Sequence, residues 1–138
     1  MPKSKPVISV VMPAFNSEKY IAEAINSILQ QSFSDFEFII VDESTDQTSA
    51  ILDSIVDSLI IRINNKEQEG NHKCRNQALQ IAKGKYICAM DSDDISNIDK
   101  LAIQFDFLET NTEFIATGSD IDFFFRGRTA IFIPAYYR

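Results

Sequence analysis

Short β-branched or aromatic runs alternate along the chain with segments whose apolar residues recur every three to four positions. Val7 to Met12 is the first run and Pro13 breaks it. Ile21, Ala24, Ile25, Ile28 and Leu29 then form one helical stripe, of the kind that packs on a sheet. Phe36 to Val41 predicts a second strand, closed by Asp42, and Leu59 to Ile63 a short third one. Between them Ile51, Leu52, Ile55 and Leu59 mark a second helix, opened by Thr45 to Thr48. A polar loop from Glu67 to Lys73 leads into a third helix with Cys74, Ala78, Ile81 and Ala82 on one face. Gly84 is its expected stop signal. Tyr86 to Met90 predicts a buried fourth strand, followed by a helix with Leu101, Phe105 and Leu108 inward. Phe114 to Thr117 and Ile121 to Phe125 read as two more strands, and Thr129 to Ile133 as the return arm of a hairpin turning at Arg126 to Arg128. Asn16 or Ser17 is the expected cap of the first helix, and Ser96 to Asp99 fits a capping box for the fourth.

Strands alternating with helices imply an α/β fold with a mostly parallel sheet. The carboxyl ends of strands one, two and four then share one edge, which collects Pro13 to Asn16, Asp42-Glu43 and Asp91 to Asp94. The 138 residues suit a single domain spanning 1–138. A net charge of −7 argues against nucleic acid as a partner. The two cysteines lack CxxC spacing and lie among apolar neighbours, so reduced, buried thiols are expected. His72 is the only histidine, which disfavours a His-based triad or metal site. No apolar run approaches the roughly 20 residues of a membrane span. The expectation is a cytoplasmic chain, peripheral to the membrane if part of a longer protein.

Asp91-Ser92-Asp93-Asp94 places three carboxylates in four residues at a strand's carboxyl end, where open α/β sheets bind ligands. Two unit charges about 4 Å apart cost on the order of 1 kcal/mol in water and roughly 4 at an effective dielectric near 20. A hard cation such as Mg²⁺ or Mn²⁺ removes that cost. Capping needs at most one aspartate, and Ser96 is expected to fill that role. The chain has only four glycines and neither GxGxxG nor a Walker A loop. A dinucleotide-binding or P-loop domain is therefore disfavoured, whereas a nucleotide diphosphate bridged by a metal is not. Asp42-Glu43 reads equally as a binding pair or a solvated acidic turn, and Arg75 as a surface or a site arginine.

Taken in order, Val7 to Asn16, Ser27 to Phe33, Asp35 to Asp42, Ser44-Thr45-Asp46, Arg75-Asn76, Ala82 to Ile87 and Asp91 to Asp94 resemble a family 2 glycosyltransferase over about residues 7–110. The resemblance implies a GT-A fold: a Rossmann-like, mostly parallel sheet flanked by helices. It implies inverting, metal-assisted transfer of a sugar from a nucleotide-diphosphate sugar, expected to be a UDP-sugar. The acceptor would be a saccharide or lipid-linked, as in cell-envelope polysaccharide synthesis. Carried over by residue, Pro13, Ala14 and Phe15 would lie along base and ribose. Asp42 and Glu43 would recognise the base, with Glu43 at the position that usually contacts uracil. Arg75 would lie near base or diphosphate and Asp91 near the ribose. Asp93 would bind Mn²⁺ or Mg²⁺, with Asp94 supporting the metal or the sugar.

Two departures stand out. The acidic pair runs straight into Ser44, one residue shorter than the family's usual spacing. The family's general base lies in the second half of its domain, and neither Asp120 nor Asp122 falls at that place in the pattern. The expectation is therefore a donor-binding portion, truncated before the acceptor-binding half, with the catalytic base unknown. Phe123 to Phe125, Ile131 to Ile133 and Tyr136-Tyr137 would then self-associate through exposed apolar surface. Two other readings share these features: a non-catalytic nucleotide- or metal-binding module of the same fold, and an aspartate-based phosphotransfer domain. The second needs a lysine beside the acids, whereas Lys83 and Lys85 fall at the opposite end of strand four.

Overall fold

The computed structural model describes residues 5–125 and 128–133, with the backbone alone for 122–133. Four parallel strands, β1 (Ile8–Ala14), β2 (Phe36–Asp42), β3 (Ile60–Asn64) and β4 (Tyr86–Ala89), form one sheet in the order β3-β2-β1-β4. Helices α1 (Ile21–Leu29), α2 (Thr48–Ser54) and α3 (Asn71–Ile81) connect them, and α4 (Lys100–Thr110) follows β4. Val10 stands beside Phe38 on one side and Cys88 on the other, so β1 is the sheet's axis.

The period-two alternation of β1 and β2 divides the core. Val10, Met12, Phe38 and Ile40 pack with Ile21, Ile25 and Ile28 of α1, Leu52 of α2 and Leu101 of α4. Val11, Ile39 and Val41 point to the other face, where α3 supplies Cys74 and Ala78. Both strands are buried along their whole length, which is why they read as unbroken apolar runs.

Several local expectations change. β4 is an edge strand, and Ile87 is 48% exposed. Cys88 is only partly buried, unlike Cys74. Ile81 is on the exposed side of α3, whose buried residues are Cys74 and Ala78. Helix α1 has no side-chain cap. The Ser17 carbonyl accepts from Tyr20 and Ile21 N–H in a preceding turn, and Asn16 sits in the left-handed region at φ 48°. Ser96 does not cap α4 either, because its hydroxyl donates to Met90 Sδ. The Leu101 N–H of α4 instead donates to Gln31 Oε1, 3.0 Å away, just past α1. A cap delivered from 70 positions away in sequence leaves no local signature.

Gly84 acts by close approach. A Cβ there would lie 2.5 Å from the Ser9 backbone nitrogen and 2.7 Å from the Ile8 carbonyl carbon. The helix itself already ends at Ile81. Phe114 to Thr117 forms no strand: Phe114 N–H closes a turn onto Asn111, and Ile115 is 98% exposed. Strands β5 (Ile121–Phe125) and β6 (Arg128–Ile133) pair antiparallel, as the hairpin reading expects. The expected turn at Arg126-Gly127 and the apolar end at Tyr136-Tyr137 lie outside the described residues.

Candidate functional site

Strands β2 and β3 add on one side of β1 and β4 adds on the other, so the strand order reverses at β1 and a crevice opens at its carboxyl end. A cleft of about 660 Å³ occupies this switch point, within the usual size of small-molecule sites. Pro13, Ala14 and Phe15 line it from the end of β1, Glu43 from just after β2, and Asp91 to Asp93 from the loop after β4. Phe15 is 47% exposed and presents an aromatic side chain to the cleft.

The acidic loop is held from two sides. Arg75 of α3 donates from Nη2 to Asp91 Oδ1 at 2.8 Å. Ser92 is buried and shares a 2.6 Å hydrogen bond with Ser17, whose hydroxyl also donates to the Phe15 carbonyl. The fixed centre of Asp91-Ser92-Asp93 turns the flanking carboxylates outward, where both are exposed. Asp94 lies outside the cleft lining. Partial burial raises its pKa above the ordinary carboxylate value, and the negative charges of Asp91 and Asp93 raise it further. Arg75 and Lys100 thus neutralise the negative field of the loop only in part.

Asp42 and Glu43, adjacent in sequence, have different surroundings. Asp42 is fully buried. It accepts from Ser44 N–H at 3.0 Å, Ser49 Oγ at 2.6 Å and Arg62 Nη2 at 2.8 Å. Burial alone would raise its pKa, but the hydrogen bonds from Ser49, Ser44 and Arg62 outweigh it and hold the carboxyl below its ordinary value. Arg62 also pairs with Asp53. Asp42 is therefore tied into the β2–β3 framework and does not line the cleft. Glu43 does line it. Its carboxylate accepts from Glu69 N–H at 2.7 Å and from Gly70 N–H at 3.1 Å.

The structure therefore brings Pro13, Ala14, Phe15, Glu43, Asp91 and Asp93 together around one space. Arg75 supports the cleft from behind through Asp91, while Asp42 and Asp94 stand apart from its lining. Sequence reasoning missed the wall made by Gln68 to Asn71 and the brace between Ser17 and Ser92. Gly70, at φ 89° directly before α3, was the available signal for the wall. The brace joins residues 75 apart and had none.

Among the described residues no three Asp, Glu, His or Cys side chains are grouped to enclose a metal ion. What the cleft offers is the exposed Asp93 carboxylate on a fixed loop, beside Asp91, which Arg75 already engages. That donor set fits Mg²⁺ or Mn²⁺, which are commonly held by one or two carboxylates, with phosphate and water completing the shell.

Residues 9–130 match the family described as glycosyl transferase family 2. The Escherichia coli enzyme UDP-Glc:alpha-D-GlcNAc-diphosphoundecaprenol beta-1,3-glucosyltransferase WfaP is 40% identical over 111 residues, covering 80% of this chain and 44% of that protein. The crystal structure of S. aureus TarS 1-349 in complex with UDP-GlcNAc superposes with a TM-score of 0.71 at 36% identity, covering 76% of this chain and 32% of that one. The mannosyltransferase PcManGT from Pyrobaculum calidifontis, in complex with GDP-Man and Mn²⁺, gives 0.68 at 26% identity, covering 78% of this chain and 33% of that one. The chain spans less than half the length of curated relatives such as WfaP. The sheet order, the cleft at its switch point and these matches agree on the GT-A architecture, and the chain belongs to glycosyl transferase family 2.

Proposed function

We propose that this chain holds the donor site of a glycosyltransferase that transfers a sugar, with inversion, from a UDP-sugar to a saccharide or lipid-linked acceptor. The observation that carries the reading is the convergence of Phe15, Glu43, Asp91 and Asp93 on one cleft. The TarS structure, a complex with UDP-GlcNAc, supports a sugar nucleotide as the occupant. Phe15 offers an apolar ring for the base. Asp91, oriented by Arg75, faces the ribose, and Asp93 with Asp94 nearby would hold Mn²⁺ or Mg²⁺. When bound, that ion supplies Lewis-acid stabilisation of the departing diphosphate. In the transfer the bond from the anomeric carbon to the diphosphate oxygen breaks as the acceptor oxygen bonds from the opposite face. The acceptor's proton passes to a base not assigned among these residues. In this reading the apolar hairpin segment adds a surface for self-association.

Calorimetry with UDP, GDP, CDP and dTDP, each with and without Mn²⁺, tests the proposal. Metal-dependent binding of UDP in preference to the others, lost in Asp93→Ala, is the expected result. Equal, metal-independent binding of all four would overturn it.

A further inference from the structure

Glu43 is 6% exposed, and its carboxylate is occupied by the protein itself. Oε2 accepts from Glu69 N–H at 2.7 Å and Gly70 N–H at 3.1 Å, and Oε1 also lies 3.1 Å from the Gly70 nitrogen. These two amides belong to the segment that lines the cleft and runs directly into α3. The segment contributes no residue to either buried apolar cluster. Its Gly70 adopts φ 89°, and a Cβ at that position would meet no atom within 4 Å. The segment's other polar contacts run to α3, where Cys74 N–H donates to the Gly70 carbonyl at 3.1 Å and Lys73 pairs with Glu69 at 3.8 Å, so the Glu43 carboxylate is what ties it to the end of the sheet. Hydrogen bonds to a charged acceptor are about twice as strong as neutral ones, enough to set a loop conformation.

We infer that Glu43 is a positioning residue: it clamps the 68–70 backbone and builds the wall of the cleft, so that it acts on the nucleotide through the loop and not by reading the base. The inference rests on the donor-site reading above and assigns Glu43 a different part within it. A residue that reads a base discriminates among bases, whereas one that keeps the wall in place affects every nucleotide alike. If loss of the clamp leaves the wall in place about one tenth of the time, each affinity falls about tenfold.

Two measurements on Glu43→Gln test this. Amide hydrogen exchange without ligand should accelerate about tenfold or more at Glu69 and Gly70, with the β1 and β2 amides unchanged. Calorimetry with UDP, GDP and CDP in Mn²⁺ should show the same fractional loss for all three. Gly70→Ala strains the amide that Glu43 holds while leaving the Glu43 side chain in place, and should reproduce that base-independent loss, which keeps the test open if Glu43→Gln folds poorly. Unchanged exchange at Glu69 and Gly70 would overturn the clamp. A loss confined to UDP would overturn the indirect role and return Glu43 to base reading. Should the unmodified chain bind no nucleotide, the donor-site reading fails, and the exchange result still decides the clamp.

Discussion

At the amino end of the sheet, the Glu37 carboxylate accepts from Lys83 N–H at 2.7 Å and from the Ser9 hydroxyl at 2.6 Å. The same hydroxyl accepts from Gly84 N–H at 2.9 Å. At the carboxyl end, Glu43 accepts from Glu69 and Gly70 N–H. Both ends use a largely buried glutamate to hold the backbone that brackets α3. They differ in what surrounds the clamp. Around Glu37 the turn closes so tightly onto β1 that a Cβ on Gly84 has no room. Around Glu43 the segment stands off, leaving a cleft bordered by Asp91 and Asp93. The closed end contributes stability, and the open end leaves charge and space available to a ligand.

The largest effect that separates the ends is expected from Gly84→Ala. The new methyl meets backbone, so β1 and the turn before β4 must separate. Overpacking of this kind costs about 1–3 kcal/mol, occasionally more, and the upper end applies because the two nearest atoms are backbone. Thermal unfolding should drop by roughly 10 °C for a domain of this size. UDP affinity, measured well below the transition, should stay within about twofold of the parent, since a 0.4 kcal/mol change is only a factor of two. A loss of affinity as large as that of Glu43→Gln would show that the two ends are not separable.

Much of this contrast was legible before the structure. Parallel strands buried on both faces read as β-branched runs, and strong i, i+3, i+4 stripes gave α1 and α2. The edge chemistry was visible because Asp91 to Asp93 and Asp42-Glu43 directly follow such runs. The misreadings have a common physical cause. Ser96, Ser17 and Gly84 were read by local rules, but their partners are Met90, Ser92 and the β1 backbone, supplied by tertiary structure. The division of labour between Asp42 and Glu43 was equally hidden. Alternation along β2 turns neighbouring side chains to opposite faces, and only the arrival of Arg62 from β3 shows which one is framework.

Asp42→Asn tests that division by pH. The folded pKa of Asp42 lies below its ordinary 3.8. Its contribution to stability is therefore fully present above about pH 4 and fades as pH falls through the lower folded value. Removing one partner of a buried ion pair costs about 3 kcal/mol, although Arg62 retains Asp53. Denaturant titrations at pH 7 should show most of that loss. The parent's decline below pH 4 should be visibly flatter in the variant. Equal slopes would place the acid sensitivity in other carboxylates and weaken the claim that Asp42 is framework.

The smallest effect is the most discriminating for the open end. Asp94 has its pKa raised by partial burial and by the charges of Asp91 and Asp93, with Lys100 only partly offsetting them. Its ionised form is thus disfavoured in the folded chain. At any pH above that raised value the protein carries the full burden. Asp94→Asn removes one charge from a loop whose described counter-charges are Arg75, paired with Asp91, and Lys100, which only partly offsets Asp94. In metal-free buffer the variant should be more stable, by less than about 1 kcal/mol because solvent screens the exposed loop. The gain should shrink in high salt and as pH falls through the raised pKa, where the parent's own aspartate becomes neutral. If Mn²⁺ with UDP occupies the loop, as the donor-site reading holds, the order reverses. The parent then gains more thermal stability from the pair of ligands than Asp94→Asn does, because it has one more charge to neutralise. A variant less stable than the parent in metal-free buffer would mean that the acidic loop is held by contacts worth more than its repulsion. The contrast between a satisfied end and an electrostatically open one would then fail.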